Sequence, residues 1–140
     1  MLILDTNVLS ELMHDSPDPG VLRWFSTLTR QEVFTTAITE GEMRVGAARL
    51  PAGKRAERII AGLQAMFDID FKDRILPFSS RATPHLAAVV AARISCGRPI
   101  EFADSLIAAI CLLHSAELAT RNTKDFEGIG ISLLNPWDKN

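Results

Sequence analysis

The sequence predicts an α/β fold, a three-layer α/β/α sandwich around a small, mostly parallel sheet. Short β-rich segments alternate with segments of helical period along the whole chain, the order that builds strand–helix–strand units with helices on both faces. The composition, 47% hydrophobic and 23% charged over 140 residues, is that of a folded domain able to bury a core without disulfide or metal staples. No repeat or linker interrupts the pattern, so residues 1–140 read as one domain.

Leu2-Ile3-Leu4 reads as a short buried strand that runs into Asp5, and Val8 to Met13 as a brief helix. Asp15-Ser16-Pro17-Asp18-Pro19-Gly20 is the clearest loop. Val21, Leu22, Trp24, Phe25 and Leu28 fall at helical spacing, predicting a helix over about 20–28, and Val33-Phe34-Thr35-Thr36 follows as a β-rich strand. A helix over about 39–50 ends at Pro51-Ala52-Gly53. Beyond it Ala56, Ile59, Ile60, Leu63, Met66 and Phe67 mark one face of a long amphipathic helix whose other face carries Lys54, Arg55, Glu57, Arg58 and Gln64. Ile75-Leu76 is a short strand. Thr83-Pro84 suits an N-cap followed by proline at the first helical position, with the helix ending near Gly97. The next helix, about 100–114, is almost wholly apolar from Leu106 to Leu113 and is expected to be buried on most sides. Glu117 to Thr120 and Ile131 to Leu134 close the chain as strands.

The formal net charge is -2. It gives no global attraction to nucleic acid, so a polyanion would need a local basic patch or a metal ion that reverses the field. Cys96 and Cys111 are the only cysteines and fall in apolar helical stretches where buried free thiols are expected. The start MLILD lacks a signal peptide's basic flank, and no apolar run approaches the roughly 18 residues of a membrane span. A cytoplasmic location without membrane attachment is the expectation.

Four acids sit at element ends beside apolar residues: Asp5, Glu42, Asp104 and Asp125. Ligand sites of open α/β sheets gather at the carboxyl ends of strands. Each acid also has a plainer explanation. Asp5 suits a helix N-cap, Glu42 completes a capping box three residues after Thr39, and Asp125 is an ordinary turn acid. Asp104 is harder to explain away. It lies on the first turn of the most apolar helix, where the macrodipole favours a carboxylate but burial disfavours an unpaired one. Glu101, nearly one turn earlier, reads as a solvent-facing cap acid. Carboxylates that meet raise one another's pKa or take up a cation, and oxygen-only ligands select a hard ion such as Mg²⁺ or Mn²⁺. His14, His85 and His114 show no zinc-type pairing, and glycine-rich phosphate loops and Gly-x-Ser-x-Gly turns are absent from the sequence. Metal-assisted chemistry on a phosphodiester is the favoured class.

The order of motifs resembles PIN-domain ribonucleases, specifically the VapC- or FitB-type toxins of prokaryotic toxin–antitoxin pairs. Five blocks carry the resemblance: Leu4-Asp5-Thr6-Asn7-Val8-Leu9-Ser10; Ala37-Ile38-Thr39 through Glu42-Met43-Arg44-Val45-Gly46; Ala103-Asp104-Ser105-Leu106-Ile107-Ala108-Ala109; Ala119-Thr120-Arg121-Asn122-Thr123-Lys124-Asp125-Phe126; and Asn135-Pro136-Trp137. The resemblance implies a single PIN domain and a Mg²⁺-dependent endoribonuclease, with Mn²⁺ as a substitute ion. It implies Asp5, Glu42 and Asp104 as metal-binding acids, with Thr6 and Asn7 steadying the first. Asn122 stands where some relatives carry a fourth acid, so that role passes to Asp125, with Thr120 and Asn122 in support. The same resemblance implies a metal-activated water as nucleophile, RNA as substrate, a cognate antitoxin as partner, a homodimer and a higher assembly with the antitoxin. Arg44 is placed against RNA or the antitoxin, or in an internal ion pair. Arg49, Lys54, Arg55 and Arg58 either hold the RNA backbone or form a solvated helix face. The competing reading is a catalytically weak PIN-like module that acts mainly by binding its antitoxin.

Overall fold

A computed structural model of the protein describes residues 1–138. Its sheet contains β1 (Leu2–Leu4), β2 (Val33–Thr36), β3 (Ile75–Leu76), β4 (Glu117–Ala119) and β5 (Leu133–Leu134), all parallel, in the order β3-β2-β1-β4-β5. The helices are α1 (Thr6–Leu12), α2 (Pro19–Ser26), α3 (Ala37–Ala48), α4 (Lys54–Ala65), α5 (Thr83–Ser95) and α6 (Phe102–Leu113). A π-helical turn, Met66–Asp70, prolongs α4.

Strand order fixes the layers. From β1 to β3 the chain steps one way across the sheet, and the β3-to-β4 connection jumps back over β2 and β1. Parallel crossovers are right-handed, so this reversal sends α5 and α6 to the face opposite α1–α4. The two cores agree. Leu2 and Leu4 point into one, with Val8, Leu9, Val21, Trp24, Leu63 and Phe67, while Ile3 points into the other, with Val89, Ile107, Ile110 and Phe126. Period-two alternation within three residues of β1 therefore serves two hydrophobic layers. Ser105 and Ile107 to Cys111 of α6 are buried, as its apolar run predicts.

Several local features differ from expectation. Helix α1 begins at Thr6, because Asp5 is its N-cap and accepts from the Thr6 N–H at 2.8 Å. Helix α3 is capped by Thr36, whose hydroxyl oxygen accepts from the Thr39 N–H at 3.1 Å. The Thr39–Glu42 pair is therefore not a capping box, and Glu42 lies in the second turn. Thr83 is already helical, with Ala82 as cap; its hydroxyl donates to the Ser80 carbonyl at 2.8 Å. Ile60 is exposed although its spacing placed it on the buried face. Cys96 is exposed where α5 ends, whereas Cys111 is buried as expected. No helix among the described residues is long and apolar enough to cross a membrane.

Gly46 lies inside α3, and a Cβ added there meets nothing within 4 Å. Gly46→Ala is expected to stabilise the fold by up to about 1 kcal/mol by removing backbone freedom from the unfolded chain. Thermal unfolding checks this; an unchanged or lower midpoint contradicts it.

Candidate functional site

The site sits where the strand order reverses. Strands β1 and β4 are neighbours there, although the connections leaving them run in opposite directions across the sheet, and such switch points open a crevice at the strands' carboxyl ends. Asp5 follows β1 directly and is buried. Its backbone N–H still donates to the Ala119 carbonyl of β4 at 3.0 Å, so the residue is held as an extension of the sheet. At the adjacent strand end, the Thr35 hydroxyl donates to the Leu4 carbonyl at 3.0 Å.

Three donors steady the Asp5 carboxylate. The Thr6 N–H serves Oδ1, while Oδ2 accepts from the Thr120 hydroxyl at 2.8 Å and from Asn7 Nδ2 at 3.3 Å. The Thr120 oxygen accepts in turn from Asn7 Nδ2 and from the Asn122 N–H, at 3.3 and 3.1 Å. Asn7 Oδ1 accepts from the Arg121 N–H at 3.0 Å. Thr6, Asn7, Thr120 and Asn122 thus form one network around a single carboxylate. Asn122 contributes to it through its backbone.

Glu42 approaches from α3. The Thr6 hydroxyl donates to Glu42 Oε1 at 3.1 Å and lies 3.3 Å from the Thr39 oxygen. Asp104, half-buried at the third position of α6, faces the same crevice, and the Thr123–Phe126 turn after β4 carries Asp125.

Electrostatics show that the four acids share a neighbourhood. Burial first, then the charges of Asp5, Asp125, Glu42 and Glu101, push the Asp104 carboxyl up to about 6. Burial also raises Asp5, helped by the charge of Asp125, against the lowering effect of its Thr120, Thr6 and Asn7 hydrogen bonds. These hydrogen bonds stabilise the ionised form but do not outweigh desolvation. Carboxylates so gathered could hold a cation, and the available donors are all oxygens. Among the described residues no three acidic, histidine or cysteine side chains are arranged to enclose an ion by themselves. A Mg²⁺ ion does not require that, since it keeps several waters and takes one or two carboxylates directly.

Two arginines make contacts within the chain. Arg44 is paired within the chain. Its guanidinium binds Glu40 Oε2 through Nε and Nη2 at 3.1 and 2.8 Å, lies 3.7 Å from Asp68 and stacks on Phe67. It is thus in an internal ion pair, with Glu40 and Asp68 rather than with the four site acids. Arg93, which sequence reasoning missed, is buried on α5 and reaches backbone carbonyls: Nε donates to Arg98 at 2.7 Å, and Nη1 to Lys124 and Glu127 at 3.1 and 3.0 Å. Arg98 adds a bond to the Lys124 carbonyl at 2.9 Å and an ion pair with Glu127. Together they clamp the turn that carries Asp125.

Fold and site define a PIN domain: the family model described as PIN domain matches residues 2–131, and the chain belongs to that family. Among curated proteins it is similar to the VapC ribonuclease Y4jK of Sinorhizobium fredii, 38% identical over 138 residues and 99% of each chain. It is also similar to the toxin FitB of Neisseria gonorrhoeae, 35% identical over 98% of this chain and 99% of the relative. The solved structure of FitAB bound to an IR36 DNA fragment superposes with a TM-score of 0.92 at 35% identity, covering 98% of this chain and 96% of the other.

Proposed function

We propose that this protein is a Mg²⁺-dependent endoribonuclease, the toxin of a type II toxin–antitoxin pair, which hydrolyses RNA phosphodiester bonds with water. One observation carries the reading: Asp104 on α6 is raised first by burial and then by the charges of Asp5, Asp125 and Glu42 from three other segments, and the buried Asp5 is raised by burial and by Asp125. Asp5, Asp104 and Glu42 would hold the ion, and Asp125 would add negative charge to the site. When bound, Mg²⁺, or Mn²⁺ in its place, activates a water and neutralises charge on the phosphodiester. The protein's own contribution is pre-organisation. Thr120, Asn7 and the Thr6 N–H fix the Asp5 carboxylate, and the Thr6 hydroxyl fixes Glu42. No side-chain nucleophile is needed. The toxin name of one relative and the FitAB assembly on DNA support an antitoxin partner and a higher assembly. The absence of a membrane-length helix among the described residues is compatible with a cytoplasmic setting.

The test is cleavage of single-stranded RNA by purified protein with Mg²⁺ and with chelator. Cleavage is expected only with the metal, and Glu42→Gln should lower it by at least about 10-fold, the lower end of what displaced metal-site groups cost. A second reading, a weakly catalytic module acting through its antitoxin, draws on the non-ionisable Asn122 beside Asp125. It would prevail if clean wild-type protein showed no metal-dependent cleavage while antitoxin binding survived loss of the acids.

A further inference from the structure

A groove of about 690 Å³ opens between α1, α3 and α4, and its lining includes both Thr6 and Glu42 of the acidic site. Thr6, Ser10 and His14 succeed one another at spacing four along one row of α1 and its end, carrying the groove away from the strand ends. On α4, Arg55 and Arg58 line the same groove, three residues apart and therefore neighbours on one helix face. Arg49 and Lys54 do not line it. The structure thus divides the four cations that the sequence left together.

Arg55 and Arg58 also differ from the arginines that serve the fold. Arg44 is held by Glu40 and Arg98 by Glu127, whereas among the described residues no carboxylate pairs with Arg55 or Arg58. The chain carries a formal net charge of -2 and its site is acidic, so a polyanion is repelled unless cations hold it beside the site. Guanidinium groups suit that task because their planar fork matches phosphate oxygens.

We propose that this groove is the track for the RNA strand leaving the scissile bond, with Arg55 and Arg58 each holding a backbone phosphate. The proposal rests on the ribonuclease reading. Its test measures binding of a labelled single-stranded RNA to Asp104→Asn protein, which does not consume the probe, with and without the further changes Arg55→Gln and Arg58→Gln. The double change is expected to weaken binding by about 10-fold and to flatten the dependence of log affinity on log salt by about 1.4, since each lost phosphate contact on a single strand removes about 0.7. Arg49→Gln with Lys54→Gln should leave both quantities unchanged. Equal losses in the two doubles would reduce the effect to overall charge and overturn the track. Unchanged RNA affinity in the Arg55/Arg58 double overturns it as well, and lost antitoxin affinity with RNA affinity intact would make the groove a protein-docking surface instead. Wild-type protein that neither binds nor cleaves RNA overturns the ribonuclease reading itself, a failure distinct from that of the track.

Discussion

Asp104→Asn is expected to reduce RNA cleavage by at least about 100-fold, the upper end of the cost of groups that only support a metal site, while making the metal-free protein more stable. The two effects have one cause. In the fold the Asp104 carboxyl is raised from 3.8 to about 6 by burial and by four acidic neighbours. A carboxyl raised on folding binds its proton more tightly in the native state, so stability falls as pH rises from 3.8 to about 6 and stays low above that window. Below 3.8 both states are protonated and the penalty vanishes. The asparagine variant never carries the charge. Discounted for the solvent screening of a half-exposed group, the gain at pH 8 is about 1 kcal/mol. Denaturant unfolding at pH 4 and pH 8 without metal checks it: the variant should gain on wild type only at the higher pH. Added Mg²⁺ should reverse the order, stabilising wild type by mass action and leaving the variant unmoved. Equal stability of the two proteins at both pH values would remove the electrostatic argument, and full activity in the variant would remove Asp104 from the site.

Arg93→Met is expected to have the largest effect on stability, a loss of about 2–4 kcal/mol, because hydrogen bonds made by a charged group such as the buried Arg93 guanidinium contribute about 1.5–3 kcal/mol each. The carbonyls of Arg98 and Glu127 lose their Arg93 donors, whereas that of Lys124 keeps Arg98. For a domain stabilised by roughly 5–15 kcal/mol this is a large fraction. Lysine restores charge but not the fork that serves three carbonyls at once, so Arg93→Lys should recover only part of the loss. Chemical denaturation of the two variants checks the order; a loss below about 1 kcal/mol for methionine would mean that water replaces the guanidinium.

Much of the fold was legible because it depends on short-range pattern. The strands at Leu2–Leu4, Val33–Thr36 and Ile75–Leu76 lie where alternation and β-branching place them, and the buried helix follows from the apolar run after Asp104. The boundaries that moved did so where one side chain serves two purposes. Asp5 caps α1 and faces the crevice, so the helix starts two residues before its first apolar position. Glu42 looked like a capping-box acid because Thr39 precedes it by three, yet Thr36 is the cap and frees Glu42 to meet Thr6 across 36 residues of sequence. Arg93 was not legible at all. Its acceptors are backbone carbonyls as far as 34 residues away, and backbone acceptors carry no sequence signature. Likewise the sequence grouped Arg55 and Arg58 with Arg49 and Lys54, since only the packing of α1, α3 and α4 decides which cations border the groove.

We propose that acids from four separate segments hold one metal-dependent site at the ends of β1 and β4. Paramagnetic broadening of backbone amide signals by substoichiometric Mn²⁺ tests it most directly. Broadening is expected to centre on Asp5–Asn7, Glu42, Asp104–Ser105 and Thr120–Asp125, to be competed away by Mg²⁺ and to be lost in Asp5→Asn. Broadening that is scattered over the surface acids, or that persists unchanged in Asp5→Asn, would contradict it.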